Sequence, residues 1–173
     1  MSAPIASASA DRAPDYLLVK REVSALLGKY DIDEPPVDPV RLARNEGLGV
    51  RFVSFAGDYS AVSGFYDPGE NAIYVNEDEY PLRQTFTIAH ELGHAKLHRD
   101  WAASADYSLL WRDQSKNADD FHEKEANAFA AHLLVPRKFL EKYYRTLTTE
   151  QLSRIFAVSV PVIKNRISFE YGI

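Results

Sequence analysis

The stretch QTFTIAHELGHAKLHRD, residues 84–100, decides the reading of this chain. It sets His90 and His94 four residues apart, with Glu91 directly after the first histidine. On a helix, residues four apart lie one turn up and about 40° around the axis, so both imidazoles can face one ion. Imidazole nitrogens suit zinc. Glu91 falls roughly 100° from His90, beside the ligands rather than among them, where a carboxylate can take a proton from water as general base. Zinc would supply the complementary effect, bringing the pKa of water down to about 7. The pattern fixes only three residues, His90, Glu91 and His94, and it also fits an ordinary amphipathic helix with polar residues at those places. A third ligand has to come from elsewhere in the chain.

Composition limits where it can come from. The sequence contains no cysteine, so thiolate ligands and disulfides are excluded and any transition-metal site must use His, Asp or Glu. At 173 residues, 46% of them hydrophobic and 26% charged, the chain matches one ordinary globular domain with a real core. A net charge of −5 argues against a nucleic-acid binder with a wholly basic surface. No apolar run approaches the roughly 20 residues of a membrane span. The start, MSAPIASASADRAPD, has neither the basic nor the apolar region of a secretory signal, so it is expected to be a flexible tail over residues 1–14 of a cytoplasmic protein.

The acidic candidates for the third ligand are Glu123 and Glu125, in FHEKEANAFAAHLLVP, residues 121–136. On a helical wheel with Ala130 at zero, Ala126, Leu133 and Leu134 define the inward face within about 60° either side. Glu123 falls at about 20°, in the middle of that face, and Glu125 near −140°, toward solvent. A carboxylate aimed into a core is costly unless it is paired or bound to a cation, so Glu123 is the expected ligand. Asn127, one turn on, can hold a ligating histidine in place. His98, a turn beyond His94, is expected to be structural or to support a ligand, because three ligands from one straight helix suit a tetrahedron poorly. His132 is expected at the surface, and His122 at the helix edge is uninformative.

Around these segments the pattern is that of an α+β domain. Residues 15–29 have helical apolar spacing at Leu17, Leu18, Ala25 and Leu26. A second helix starts at Pro39 with Asp38 as its cap and ends near Gly47. LGVRFVSF, SAVSGFY and AIYVN read as strands, the last two joined by the turn formers of DPGEN, which gives a small antiparallel sheet directly before the metal helix. Residues 99–120 show no period, and their two tryptophans suggest a loop that partly packs. Pro136 begins another helix, and Thr148 with Gln151 makes a capping box. Ser159 and Gly172 bound the last helix. The expected division is a domain over 15–145 and a hairpin over 146–173 packed on it.

In this order, TFTIAHELGHAKLH followed by EKEANAFAAHLLVP, the chain resembles the ImmA/IrrE family of zinc metallopeptidases from about Pro36 to Gly172. The resemblance implies a minimal gluzincin, a zincin-like fold in which His90, His94 and Glu123 bind zinc and Glu91 activates water. Asn127 stands where related zincins often have an aspartate. The resemblance also implies a partner of the XRE helix-turn-helix repressor or antitoxin type, in a phage, mobile-element, toxin–antitoxin or stress-response locus. That partner is either cleaved or, in the alternative reading, bound without proteolysis. In zincins the strand ahead of the metal helix commonly offers a free edge to an extended peptide, which points to Ile73, Tyr74 and Val75. The competing reading is a plain hairpin strand. The group stabilising the oxyanion is left open among Tyr59, Tyr66, Tyr74 and Tyr107. The C-terminal segment, with Arg154, Lys164, Asn165 and Arg166, superficially fits a DNA-reading helix-turn-helix. Its apolar Leu152, Ile155, Phe156, Val162 and Ile167 favour packing or partner contact, so direct DNA binding is not expected.

Overall fold

In the computed structural model, which describes residues 12–107 and 120–173, a helix lying on a three-stranded sheet and packed against a second helix forms the centre of an α+β domain. Helix α1 spans Tyr16–Lys29 and begins where the Asp15 carboxylate accepts the N–H of Leu18. Its buried stripe is Val19, Val23, Leu26 and Leu27, the i, i+4, i+7, i+8 face of one helix side. Leu17, part of the expected stripe, is instead 81% exposed. Helix α2, Pro39–Asn45, starts as expected, with Asp38 accepting from the amides of Val40 and Arg41, and Gly47 turns the chain out of it at φ 82°.

The sheet contains β1 (Gly49–Val53), β2 (Gly64–Asp67) and β3 (Ala72–Asn76) in the order β1-β3-β2. The β2–β3 hairpin is antiparallel, with Phe65 opposite Tyr74, and Asp67 closes its turn by accepting from the amides of Gly69 and Glu70. Strand β1, however, runs parallel to β3 with Gly49 opposite Ala72, so the sheet is mixed rather than wholly antiparallel. The connection over residues 54–63 carries the chain to the far side, β2 pairs there, and β3 returns between the two. Being central, β3 is buried along most of its length and has no free edge. The expected peptide-binding edge at Ile73, Tyr74 and Val75 is therefore corrected: both sides of that strand are taken by β1 and β2.

Helix α3, Pro81–Leu97, lies against β2 and β3 and packs most extensively on α5, Phe121–Leu134. The approach is close because Gly93 faces Phe129, where a Cβ would lie only 3.1 Å from the phenylalanine's own Cβ. A short α4, Arg99–Ala102, follows α3. Trp101 on it stacks on His122 with ring centroids 3.9 Å apart, so that part of the expected loop packs. Residues 108–119, with Trp111, and the tail up to residue 11 lie outside the described residues.

Helix α6, Arg137–Tyr143, follows Pro136. The last pair is α7, Thr149–Phe156, which starts at the full capping box of Thr148 and Gln151, and α8, Val160–Tyr171, which ends at Gly172. Leu152, Phe156, Val158 and Ile163 of this pair are buried in the common core. Arg166, counted among the basic residues of the segment, is only 2% exposed; its Nε donates to the carbonyl of Val135 at 3.1 Å and its Nη2 pairs with Glu170 at 2.9 Å. It secures α8 to the end of α5. No helix among the described residues is long and apolar enough to cross a membrane.

Candidate metal centre

Helix α3 carries His90, Glu91 and His94, and α5 brings Glu123 opposite them from its first turn, where Asp120 caps the helix by accepting the N–H of His122. The Nε2 atoms of His90 and His94 are 3.1 Å apart. Glu123 Oε2 is 3.3 Å from His90 Nε2, and Glu123 Oε1 is 3.2 Å from His94 Nε2. Zinc–nitrogen bonds of about 2.0–2.1 Å at tetrahedral angles set neighbouring donor atoms about 3.3–3.4 Å apart, and each of these three separations is near that edge, the two nitrogens meeting different oxygens of the one carboxylate. His90, His94 and Glu123 are the one such cluster of potential ligands among the described residues.

The donor chemistry supports the same reading. Asn127 Oδ1 lies 3.0 Å from His90 Nδ1, and an amide oxygen can only accept, so the His90 proton sits on Nδ1 and Nε2 points bare at the cluster. Two bare imidazole nitrogens and a carboxylate crowded within hydrogen-bond distance are mutually repulsive unless a proton or a cation lies among them. His94 is fully buried, and burial brings its pKa down to about 4, which favours the neutral ring that a metal needs. Burial acts to raise the pKa of Glu123, but a proton shared with the His90 or His94 nitrogen beside it outweighs that and holds the carboxyl well below the usual carboxylate range, the same place a cation would occupy.

Glu91 does not join the triangle. Its Oε1 stands 4.0 Å from His90 Nε2, and its Oε2 accepts the Tyr107 hydroxyl at 2.9 Å. That hydroxyl oxygen in turn accepts the backbone N–H of Tyr66 at 2.6 Å. The strand amide, the phenol and the carboxylate thus form one chain that fixes the Glu91 side chain and leaves Oε1 turned to the cluster. Burial pushes the Glu91 carboxyl up to about 7, the range of a group that takes and returns protons near neutrality. Of the four tyrosines considered, Tyr107 is the one that lines the same cleft as His90, Glu91 and Glu123, an opening of about 280 Å³. Tyr59 is 43% exposed, and Tyr74 bonds Glu70 instead. A larger space of about 440 Å³, walled by α1, α6 and α8, lies away from these residues.

Strand β2 borders the cleft through Ser63 and Gly64. Ser63 C=O accepts from Asn76 N–H, so by the alternation of an antiparallel ladder Gly64 and Tyr66 turn their main-chain groups away from β3. Gly64 is obligatory there: a Cβ would sit 2.5 Å from the Tyr74 carbonyl oxygen and 2.6 Å from Thr87 Cγ2.

Two expectations about side chains on α5 do not hold. Glu125 is 1% exposed rather than solvent-facing, because α5 is covered on several sides and not on one. His132 is buried under α8, with Glu170 at 3.6 Å and the Phe169 ring edge-on at 5.3 Å. His98 stands directly behind His94, their Nδ1 atoms 3.2 Å apart. The roles of Tyr107, Gly64 and Glu125 had no signal in helical or strand spacing, since each depends on a contact between distant segments.

A HExxH helix crossed by a helix with a facing glutamate, over a small sheet, defines a zincin-like fold. A sequence model of the IrrE N-terminal-like domain matches residues 43–168, and the chain belongs to that metallopeptidase family, which implies a metal at this cluster. It is 30% identical over 138 residues to the uncharacterized immunity region protein 2 of Bacillus phage phi105, covering 79% of each chain. It is 36% identical over 73 residues to the radiation response metalloprotease IrrE of Deinococcus radiodurans, covering 42% of this chain and 22% of that one. The IrrE of Deinococcus deserti is 35% identical over 78 residues, 45% of this chain and 27% of the other. This chain thus matches only a minor part of the two radiation response proteins. A transcriptional regulator of Mycobacterium tuberculosis shares the fold, with a TM-score of 0.63 at 18% identity, over 88% of this chain and 46% of that chain.

Proposed function

We propose that this protein is a zinc-dependent endopeptidase of narrow specificity that acts in the cytoplasm on an XRE-type repressor or antitoxin. The observation that carries the reading is the convergence of His90, His94 and Glu123 from two helices, with Glu91 Oε1 held just outside the triangle. Zinc bound there supplies Lewis acidity to water and to a peptide carbonyl. His90 and His94 would hold it through Nε2, and Glu123 through its carboxylate. Glu91 Oε1 accepts the proton of the attacking water and returns it to the departing amide nitrogen. Tyr107 keeps that carboxylate in place with the one proton its hydroxyl has to donate.

The substrate lies extended along β2, which takes the place first assigned to β3. Because the Tyr66 amide is already bound by Tyr107, the edge offers mainly the groups of Gly64, a short anchor that suits a selective enzyme. The names of the relatives, a metalloprotease and a phage immunity-region protein, agree with a peptidase that governs a regulator. The test is incubation of zinc-loaded protein with candidate XRE-type repressor or antitoxin proteins. Wild type is expected to give defined fragments, and Glu91→Gln to retain zinc and give none. Complex formation without fragments by wild type would favour the binding-protein alternative.

A further inference from the structure

His94 and its metal-facing nitrogen are backed by a line of buried groups that no ligand role explains. His94 Nδ1 lies 3.2 Å from His98 Nδ1. His98 Nε2 lies 2.7 Å from Glu125 Oε2, and Glu125 Oε1 accepts the backbone N–H of Asp15 at 2.6 Å. His94, His98 and Glu125 are 0%, 7% and 1% exposed. A carboxylate buried this far is expensive, and an apolar residue of similar volume would serve packing as well or better. We propose that Glu125 is a positioning residue of the metal centre, which sets the tautomer of His94 through His98.

The argument follows the protons. A carboxylate only accepts, so at 2.7 Å His98 must present its N–H from Nε2. A neutral His98 then has a bare Nδ1, and that nitrogen can only accept from His94. His94 therefore carries its proton on Nδ1, and its Nε2 lone pair is free to face Glu123 and His90. The opposite arrangement reverses every step. With the proton on His98 Nδ1, the bare Nε2 would face the Glu125 carboxylate, and the His94 proton would move to Nε2, where it blocks the cluster. The charge on Glu125 decides between the two. Asn127 does the same service for His90 in one step, with a neutral amide. The Asp15 amide, at the N-cap of α1, fixes the outer end, so the first turn of α1 is tied to the metal site across 110 residues of sequence.

This inference rests on the metal reading above, and the test separates the two. Histidine side-chain nitrogens of full-length protein are observed in long-range ¹H–¹⁵N correlation spectra, with and without zinc. Zinc affinity is measured by competition with a chelator for wild type, Glu125→Gln and Glu125→Ala. Wild type is expected to show His98 protonated on Nε2 and His94 on Nδ1. Glu125→Ala should lose the single His98 tautomer and bind zinc about 10–100-fold more weakly. Glu125→Gln, which keeps an accepting oxygen without the charge, should recover part of that affinity. A wild-type His98 protonated on Nδ1 overturns the proposal even if neither variant folds. So does a folded Glu125→Ala protein with unchanged zinc affinity. A wild type with the expected tautomers but no affinity for zinc would instead overturn the peptidase reading.

Discussion

Replacing Gly93 by alanine tests whether the close crossing of α3 and α5 shapes the metal site. The added Cβ would lie 3.1 Å from Phe129 Cβ and 3.2 Å from its Cγ and Cδ1. Carbon atoms prefer about 3.5–4.0 Å, so the helices must part by roughly 0.4 Å, or a fully buried ring must move. Overpacking of this kind costs about 1–3 kcal/mol, and alanine recovers about 1 kcal/mol of helix propensity. The net expectation is a loss of about 1 kcal/mol, or a Tm about 2–4 °C lower for a chain this long. The metal site should suffer more than the fold. His90 and His94 ride on α3 and Glu123 on α5, so parting the helices stretches donor separations of 3.2–3.3 Å beyond the tetrahedral edge. Zinc affinity is expected to fall at least about tenfold, or 1.4 kcal/mol. The assays are thermal melts of the metal-free proteins and chelator competition for zinc. A Gly93→Ala protein as stable as wild type, with the same zinc affinity, would refute the idea that this glycine sets the ligand geometry.

Three further expectations concern groups around the site and the core. Tyr107→Phe removes the hydroxyl between the Tyr66 amide and Glu91 and leaves a buried donor unmatched, so urea unfolding should show a loss of about 1–3 kcal/mol. His132 is held near pKa 4, first by burial and then by the charge of Arg166, whereas an unfolded histidine titrates near 6.5. Between those values the unfolded chain binds the extra proton, so stability should fall as the pH drops from about 6.5 to 4, and urea titrations of His132→Leu should lose that part of the slope. Burial would raise the Glu46 carboxyl, but hydrogen bonds from Lys29, Lys96 and Tyr30 outweigh it and bring it down to about 2. Glu46→Gln should therefore lower the Tm near neutral pH, and the difference from wild type should shrink as pH falls from 4.5 toward 2.

Local signals carried well into the structure. The capping box at Thr148, the Asp38 cap before Pro39 and the turn after Asp67 rest on chemistry within a few residues, and each formed as expected. The inward turn of Glu123 was legible because one apolar stripe of α5 dominates its wheel. The same wheel misplaced Glu125 and His132. It assumes a single buried face, while α5 is enclosed by α1, α3 and α8. The position of β3 was hidden for a related reason. Alternating residues reveal a strand but not its neighbours, and only the parallel pairing with β1 makes β3 central. Tyr107 could not be singled out among ten tyrosines, since its bond to Glu91 closes between segments 16 residues apart with no fixed period.

The most direct test of the account is metal content. Wild type and Glu123→Ala, purified without affinity metal, are compared by elemental analysis. The account predicts near-stoichiometric zinc in wild type and its loss from the folded variant. Wild type without zinc, or equal zinc in both proteins, would contradict a three-ligand site built from His90, His94 and Glu123.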